Sequence, residues 1–362
     1  MKALLLQIQR RLLSPGRRLH VLQRQAVYHR EAFTALQGVL RHPGVRPLSR
    51  SLRRTVDDYA QQALGDRRYA PWLRTLATFH GELIPGWIPD DYFALVAVPE
   101  ISTRYHGLGS ARSLATRILR TDILPDLLYR VSGRWYDPDG NVVPETAVRD
   151  RIFESGQVAY VKTERSRQGI GVRRITPDTF DSVLPSLSGN VVIQRGIVQG
   201  PFFDALSPGC TATLRVGTAL AYGEDPHLAF ATLKVGTGSA QHIRAADGLH
   251  IPIHIDTGRL ADLGVLGHWS LVRSHPDNGI VFGGLEVPGL RDAIEVCLRL
   301  HRSVPQFGLI GWDIAINTAG HPELMEWNTG HVGIMVPQLL IGPVLSRLRL
   351  ERLRVSVDRI PR

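Results

Sequence analysis

The chain has 362 residues, 43% hydrophobic and 21% charged, with 43 Lys plus Arg against 33 Asp plus Glu and a formal net charge of +10. This is the composition of a globular protein. Apolar runs such as residues 3–6 fall far short of the roughly 20 residues that cross a bilayer, and the isolated Cys210 and Cys297 exclude a disulfide scaffold.

The length predicts two or three subdomains, because one core seldom grows past about 250 to 300 residues. The first apolar run is cut by Gln7, Gln9, Arg10 and Arg11 with no small-residue cleavage pattern behind it, so no secretory signal is expected and the cytoplasm is the default compartment. Residues 1–54 hold 12 Lys plus Arg against the single acid Glu31, and the rest of the chain is close to neutral. Leu4, Leu5, Ile8 and Leu12, then Leu19, Leu22 and Val27 beyond Ser14-Pro15-Gly16, recur at near-helical spacing. Such a basic amphipathic arm can pack on the protein body, or lie as a peripheral contact on the anionic inner face of a membrane. Nucleic acid fits least, since aromatics are scarce among the arginines, Tyr28 being the first.

A helical period runs over residues 54–80, and Pro85, Pro89 and Pro99 then break it into loop. Residues 110–119 again read as helix. Residues 127–131 and 133–136, with the turn Asp137-Pro138-Asp139-Gly140, read as a hairpin. Helices are expected over 146–155, 177–187 and 288–304. Strands are expected over 158–163, 171–175, 190–197, 212–222, 228–235, 312–316 and 323–327. The boundaries that follow are a basic helical arm at 1–54, a helical region at 55–117, an α+β subdomain at 118–195, a second at 196–345 and a basic C-terminal tail at 346–362.

Lys2, Lys162 and Lys234 are the only lysines among the 43 basic residues. Where a generic cation serves, this chain has arginine, so an internal lysine suggests a need for a compact ammonium. Lys162 ends an apolar strand and opens a turn containing Ser166, Gln168, Gly169 and Gly171, whose backbone N–H groups could meet phosphate oxygens. The run Gly311-Trp312-Asp313 turns at Ala319-Gly320 into Glu323-Leu-Met-Glu326-Trp-Asn328. Alternation puts Glu326 and Asn328 on one face, and the hairpin brings Asp313 beside them, a hard-oxygen set suited to Mg²⁺. His250 and His254 share a strand face without a third ligand, which favours a structural role over zinc. His268, His275 and Asp277 lie in a loop that could border an acceptor site, although a surface turn is the favoured reading.

These residues, in this order, resemble the ATP-grasp fold: the glycine loop after Lys162, Val191-Val-Ile-Gln-Arg-Gly-Ile197, Thr213-Leu-Arg-Val-Gly217, Lys234, then Asp313 with Glu326 and Asn328. Over roughly residues 105–345 the chain is most similar to the sugar-transfer-associated branch of that family. The resemblance implies an α+β fold in which two subdomains grip ATP, preceded here by the basic helical N-terminal region. It implies that Lys162 contacts the α- and β-phosphates beneath the loop of Ser166, Gln168, Gly169 and Gly171. The stretch Gln194, Arg195, Gly196 and Ile197 would form the hinge facing adenine, Arg215 and Lys234 would face the γ-phosphate, and Asp313, Glu326 and Asn328 would hold Mg²⁺. An upstream lysine usual in the family has no counterpart, leaving Arg112 or Arg117 for that contact. The implied activity is an ATP- and Mg²⁺-dependent ligase joining a small-molecule carboxylate to an amine or hydroxyl acceptor, associated with polysaccharide building. Phosphotransfer to a hydroxyl, or a non-catalytic nucleotide-binding scaffold, uses the same residues.

Overall fold

A computed structural model describes residues 15–164, 171–238 and 248–353. The chain divides into two units, Met1–His106 with His268–Leu271 and Gly333–Arg362, and Gly107–Gly267 with Val272–Val332.

The first unit is helical. It contains α1 (Pro15–Leu40), α2 (Arg50–Ala63) and α3 (Ala70–His80). The helical period expected over 54–80 is thus two helices, interrupted where Gly65 takes φ 88°, a conformation open to glycine and strained for other residues. Ser49 caps α2 by accepting the Leu52 N–H at 3.1 Å. Ala32, Ala35 and Val39 of α1 and Trp72, Leu73 and Leu76 of α3 are buried, and the Thr75 hydroxyl donates to the Ala32 carbonyl between these helices at 3.0 Å. The C-terminal segment belongs to the same unit. Gln338 exchanges two bonds with the Ile88 backbone, donating at 2.8 Å and accepting at 2.9 Å, and Tyr92 donates its hydroxyl proton to the Leu350 carbonyl. Residues 346–353 therefore pack, through Leu350, on this helical unit.

The second unit holds two antiparallel sheets. The first comprises β1 (Asp126–Val131), β2 (Arg134–Tyr136), β3 (Val142–Val143), β4 (Ala159–Thr163), β5 (Val172–Ile175) and β6 (Val191–Arg195), in the order β3-β2-β1-β6-β4-β5. The β1–β2 turn is made by Ser132 and Gly133, φ 50° and 80°, and not by Asp137–Gly140, which joins β2 to β3. Two successive positive φ values match the strand twist of a tight hairpin. Leu128, Val161 and Ile193 form a core with Val148 and Ile152 of α4 (Val148–Phe153). The helix expected over 177–187 is reduced to Phe180–Val183 and a tighter turn, Leu184–Ser186, where Pro185 lacks the N–H an α-helix needs. The stretch at 110–119 is likewise a 3₁₀ turn, Arg112–Leu114, followed by a short helix, Ala115–Leu119.

The second sheet comprises β7 (Thr213–Ala219), β8 (His227–Val235), β9 (Leu249–His254), β10 (Arg259–Leu260), β11 (Gly264–Leu266), then, beyond the short strand β12 (Ser270–Val272), β13 (Leu309–Ile316) and β14 (Pro322–Asn328). Its order runs β11-β9-β8-β7-β13-β14, with β10 against β9. Leu214, Val216, Leu233, Ile251, Trp312 and Ile314 share one buried core with Ala293, Cys297 and Leu300 of α5 (Leu290–Ser303). A buried polar chain fixes this layer. The Trp312 indole N–H donates to the Thr218 hydroxyl at 2.8 Å, and His301 bonds Thr218 at 2.7 Å and the Phe307 carbonyl at 2.7 Å. With one face committed to α5, alternation sends Arg215, Lys234 and Asp313 to the other.

Candidate active site

The polar face is organised by strand register. Asp313 of β13 lies opposite Arg215 of β7 on one side and Glu326 of β14 on the other. Thr213 of β7 lies opposite Lys234 of β8, which lies opposite His250 of β9. Directly paired residues of an antiparallel ladder project to the same side. Two neighbouring rows, Glu326–Asp313–Arg215–Thr232 and Thr213–Lys234–His250, thus place polar side chains on five strands of this face.

Arg215 grips Asp313 with two parallel bonds, Nε to Oδ1 at 2.7 Å and Nη2 to Oδ2 at 2.8 Å, and donates a third to the Val332 carbonyl. Lys234 Nζ donates to the same Oδ1 at 2.9 Å. Gly311 makes this possible, because a Cβ there would stand 3.2 Å from Arg215 Cδ and 3.0 Å from Val332 Cβ. Burial opposes ionisation of Asp313, yet Arg215 and Lys234 together hold its carboxyl well below the usual carboxylate range. Burial and the neighbouring Arg215 push Lys234 down to about 8, against the pull of Asp313.

The register of β13 and β14 shifts between Asp313 and Ile314, leaving Met325 as an extra residue. Bulges of this kind redirect groups next to binding sites. The Met325 carbonyl accepts from Lys162 Nζ of β4 and from Gln194 Nε2 of β6, each at 3.3 Å. Arg195 of β6 pairs with Glu323 at 2.6 Å. Arg112 spans both sheets, donating to the Thr163 carbonyl at 2.8 Å and to Glu326 Oε2 at 3.1 Å. Lys162 is 7% exposed. Burial and Arg112 lower its pKa, and Glu326 counteracts them.

The structure therefore brings Lys162, Gln194, Arg215, Lys234, Asp313 and Glu326 together. Asn328 joins them, with Nδ2 3.4 Å from the Gly311 carbonyl and 3.5 Å from Asp313 Oδ2. Arg195 turns its guanidinium to Glu323 and donates its backbone N–H to the Pro125 carbonyl at 2.9 Å, and Ile197 follows β6 half-buried. Gly171 accepts the Thr163 N–H at 3.2 Å. Ser166, Gln168 and Gly169 lie outside the described residues. Of the two arginines open for the missing lysine, Arg112 lies near Lys162 and bonds Glu326, whereas the Arg117 guanidinium reaches to Gly140. His250 stands beside Lys234 on this face, a placement that its sequence neighbourhood does not reveal, since only the β8–β9 register sets it there. His275 is buried and bonds the Gly236 carbonyl at 2.9 Å, so that loop histidine is structural.

Four cations, Arg112, Lys162, Arg215 and Lys234, thus face the carboxylates Asp313 and Glu326. Among the described residues no three His, Cys, Asp or Glu side chains form a metal cage. Two carboxylates and an amide are instead a hard-oxygen set of the kind Mg²⁺ uses with water and phosphate, its carboxylates here taken up by Arg112, Arg215 and Lys234.

The family profile described as sugar-transfer associated ATP-grasp matches residues 161–353. No protein of curated function matches the sequence. Among solved structures, similarity extends to biotin carboxylase from Campylobacter jejuni, at 10% identity and TM-score 0.42, covering 68% of this chain and 47% of that one. The D-alanine-D-alanine ligase of Coxiella burnetii matches at 13% identity and TM-score 0.39, over 70% of this chain and 60% of that one. An L-amino acid ligase from Bacillus licheniformis matches at 10% identity and TM-score 0.36, over 77% and 53%. The chain spans about half the length of the first of these.

Proposed function

The chain belongs to the sugar-transfer-associated ATP-grasp family, and from that premise we propose that it is an ATP- and Mg²⁺-dependent ligase. It activates a small-molecule carboxylate as an acyl phosphate and joins it to an amine or hydroxyl, in cytoplasmic steps of cell-surface glycan building. The observation that carries the reading is the Lys162 ammonium. It is buried, and among the described residues its hydrogen bond goes to a carbonyl and to no carboxylate. A charge in that setting calls for an anion. A polyphosphate lying between Lys162 with Arg112 and Arg215 with Lys234 supplies it.

The chemistry follows from that placement. A donor carboxylate oxygen attacks the γ-phosphorus, the bond to the ADP oxygen breaks, and ADP leaves. The acceptor nitrogen or oxygen then attacks the carbonyl carbon, loses its proton, and displaces inorganic phosphate. Arg215 and Lys234, fixed by Asp313, present their charge where the transferred phosphoryl group accumulates its own, with little reorganisation needed. Arg112 and Lys162 hold the rest of the triphosphate in line. Mg²⁺, held by Asp313, Glu326 and Asn328, would neutralise phosphate charge and polarise the γ-phosphoryl group.

The test is trapping with hydroxylamine. The protein with MgATP and pools of amino acids and sugar acids should form hydroxamate together with ADP. ATP consumption dependent on the pool but without hydroxamate would instead indicate phosphotransfer to a hydroxyl.

A further inference from the structure

β9 sets His250 opposite Lys234 on one side and Val265 on the other. Its imidazole therefore shares the polar face with Lys234 and Arg215. His250 is half-buried, and its ring makes no hydrogen bond to a described residue. Two positions before Lys234 on the same face, opposite Arg215, Thr232 is 3% exposed and its hydroxyl also lacks a partner among the described residues. Buried hydroxyls are nearly always satisfied. Thr232 and His250 thus mark a part of the face shaped for a ligand. It lies on β8 and β9, past Arg215 as counted from the Mg²⁺ residues, where a second substrate would approach an acyl phosphate held by Arg215 and Lys234.

We propose that His250 lines the acceptor subsite and takes the proton released when the acceptor's nitrogen or oxygen attacks the acyl carbon. The acceptor's lone pair forms the new bond to carbon, the carbon–oxygen bond to phosphate breaks, phosphate leaves with that electron pair, and the proton passes to a ring nitrogen of His250. This rests on the ligase reading.

The neighbouring charges give the residue a condition. Lys234 faces it from β8, Arg215 from β7 and Asp313 from β13, while β11 presents Val265. Burial, then Lys234 and Arg215, push the imidazole down to about 3, and Asp313 only partly offsets them. In that state His250 is neutral and a feeble base, whereas an effective base has a pKa near the working pH. Phosphate oxygens settling between Lys234 and Arg215 cancel their positive charge and return basicity to His250. The proton acceptor is therefore armed by the nucleotide.

The experiment uses the full chain labelled with ¹⁵N-histidine, the His250 ring signals being assigned by their loss in His250→Asn. Its titration midpoint is followed with and without the β,γ-imido analogue of ATP plus Mg²⁺, and calorimetry records binding in parallel. The midpoint should rise by at least about one pH unit in the saturated complex. An unchanged midpoint with binding demonstrated would overturn the proposal, and absence of binding would remove the ATP reading and the proposal together. Hydroxylamine, already neutral at pH 7 and a strong nucleophile, needs no base, so His250→Asn should lower acceptor-dependent phosphate release at least about tenfold and hydroxamate formation by less. Loss of hydroxamate in that variant would place His250 in the first half-reaction and also overturn it.

Discussion

Arg215 and Asp313 stand opposite each other on neighbouring strands and are joined by two parallel hydrogen bonds, with Lys234 closing on the same carboxylate. The buried Asp313 charge is thus held in place by the two cations expected to receive the γ-phosphate.

Neutralising that carboxylate should disturb both stability and chemistry. Asp313→Asn leaves Arg215 and Lys234 facing each other without a counter-charge, and breaking a buried pair costs about 3 kcal/mol, measurable by denaturant unfolding. Combined with Glu326→Gln, it should lower ADP formation by about 10²-fold or more. Unchanged turnover would exclude these carboxylates from the reaction.

Lys234 supplies a pH signature. Its depressed value of about 8 means that the unliganded chain loses this charge as the pH rises through 8, well before an ordinary lysine would. A neutral amine attracts phosphate less, so kcat/KM for MgATP should fall above that pH. Lys234→Arg should move the fall to higher pH, because a guanidinium stays protonated. The stability sign is opposite. Between about 8 and the model-peptide value near 10.4 the unfolded chain binds more protons at this position, so its contribution to folding stability rises with pH across that window.

Of Arg112 and Arg117, we propose Arg112, which reaches Glu326, for the contact that the family resemblance gives to a lysine. Arg112→Ala should raise KM for ATP by about tenfold or more, since charge-assisted contacts are the strong ones. Arg112→Lys should recover only part of this, because an ammonium cannot span the Thr163 carbonyl and Glu326 as a planar fork does. Equal KM values in all three proteins would remove Arg112 from the nucleotide site.

Much of this site is legible in the sequence. The Asp313, Glu326 and Asn328 hairpin follows from alternation around a glycine turn, and the two internal lysines stand out by scarcity. The bulge at Met325 is not legible, because nothing local distinguishes it from a regular strand residue, although its carbonyl receives both Lys162 and Gln194. His250 was hidden for another reason. Its neighbours in sequence read as structural strand, and its charged partners are set by the β7–β8–β9 register. The joining of the first helices with residues 333–353 in one unit depends on pairs such as Gln338 with Ile88, 250 positions apart, which no periodicity encodes.

The buried chain behind the hairpin gives a purely structural expectation. Thr218→Val leaves the Trp312 indole N–H and the His301 ring without their shared partner, a loss of about 1 to 3 kcal/mol in unfolding free energy. KM for ATP should change little, as Thr218 faces α5.

For the basic arm, the exposed Leu22, Val27 and Phe33 of α1 alongside the positive charge of residues 1–54 support a peripheral contact with anionic lipid. Deleting the arm would remove Ala32, Ala35 and Val39 from the core, so surface variants are the sounder probe. Leu22→Ser with Phe33→Ser and Arg24→Glu with Arg30→Glu should each reduce co-sedimentation with phosphatidylserine vesicles. Sedimentation equal to that of the unaltered chain would contradict the contact.

In the proposed reaction the decisive step is attack of a carboxylate oxygen on the γ-phosphate over the Arg215, Lys234 and Asp313 cluster. The carboxylic acid identified by hydroxamate trapping, labelled with ¹⁸O in its carboxyl group, tests it when supplied with MgATP and the full chain under ligation conditions. Inorganic phosphate should carry one ¹⁸O for each bond formed; ADP with unlabelled phosphate would exclude the acyl phosphate.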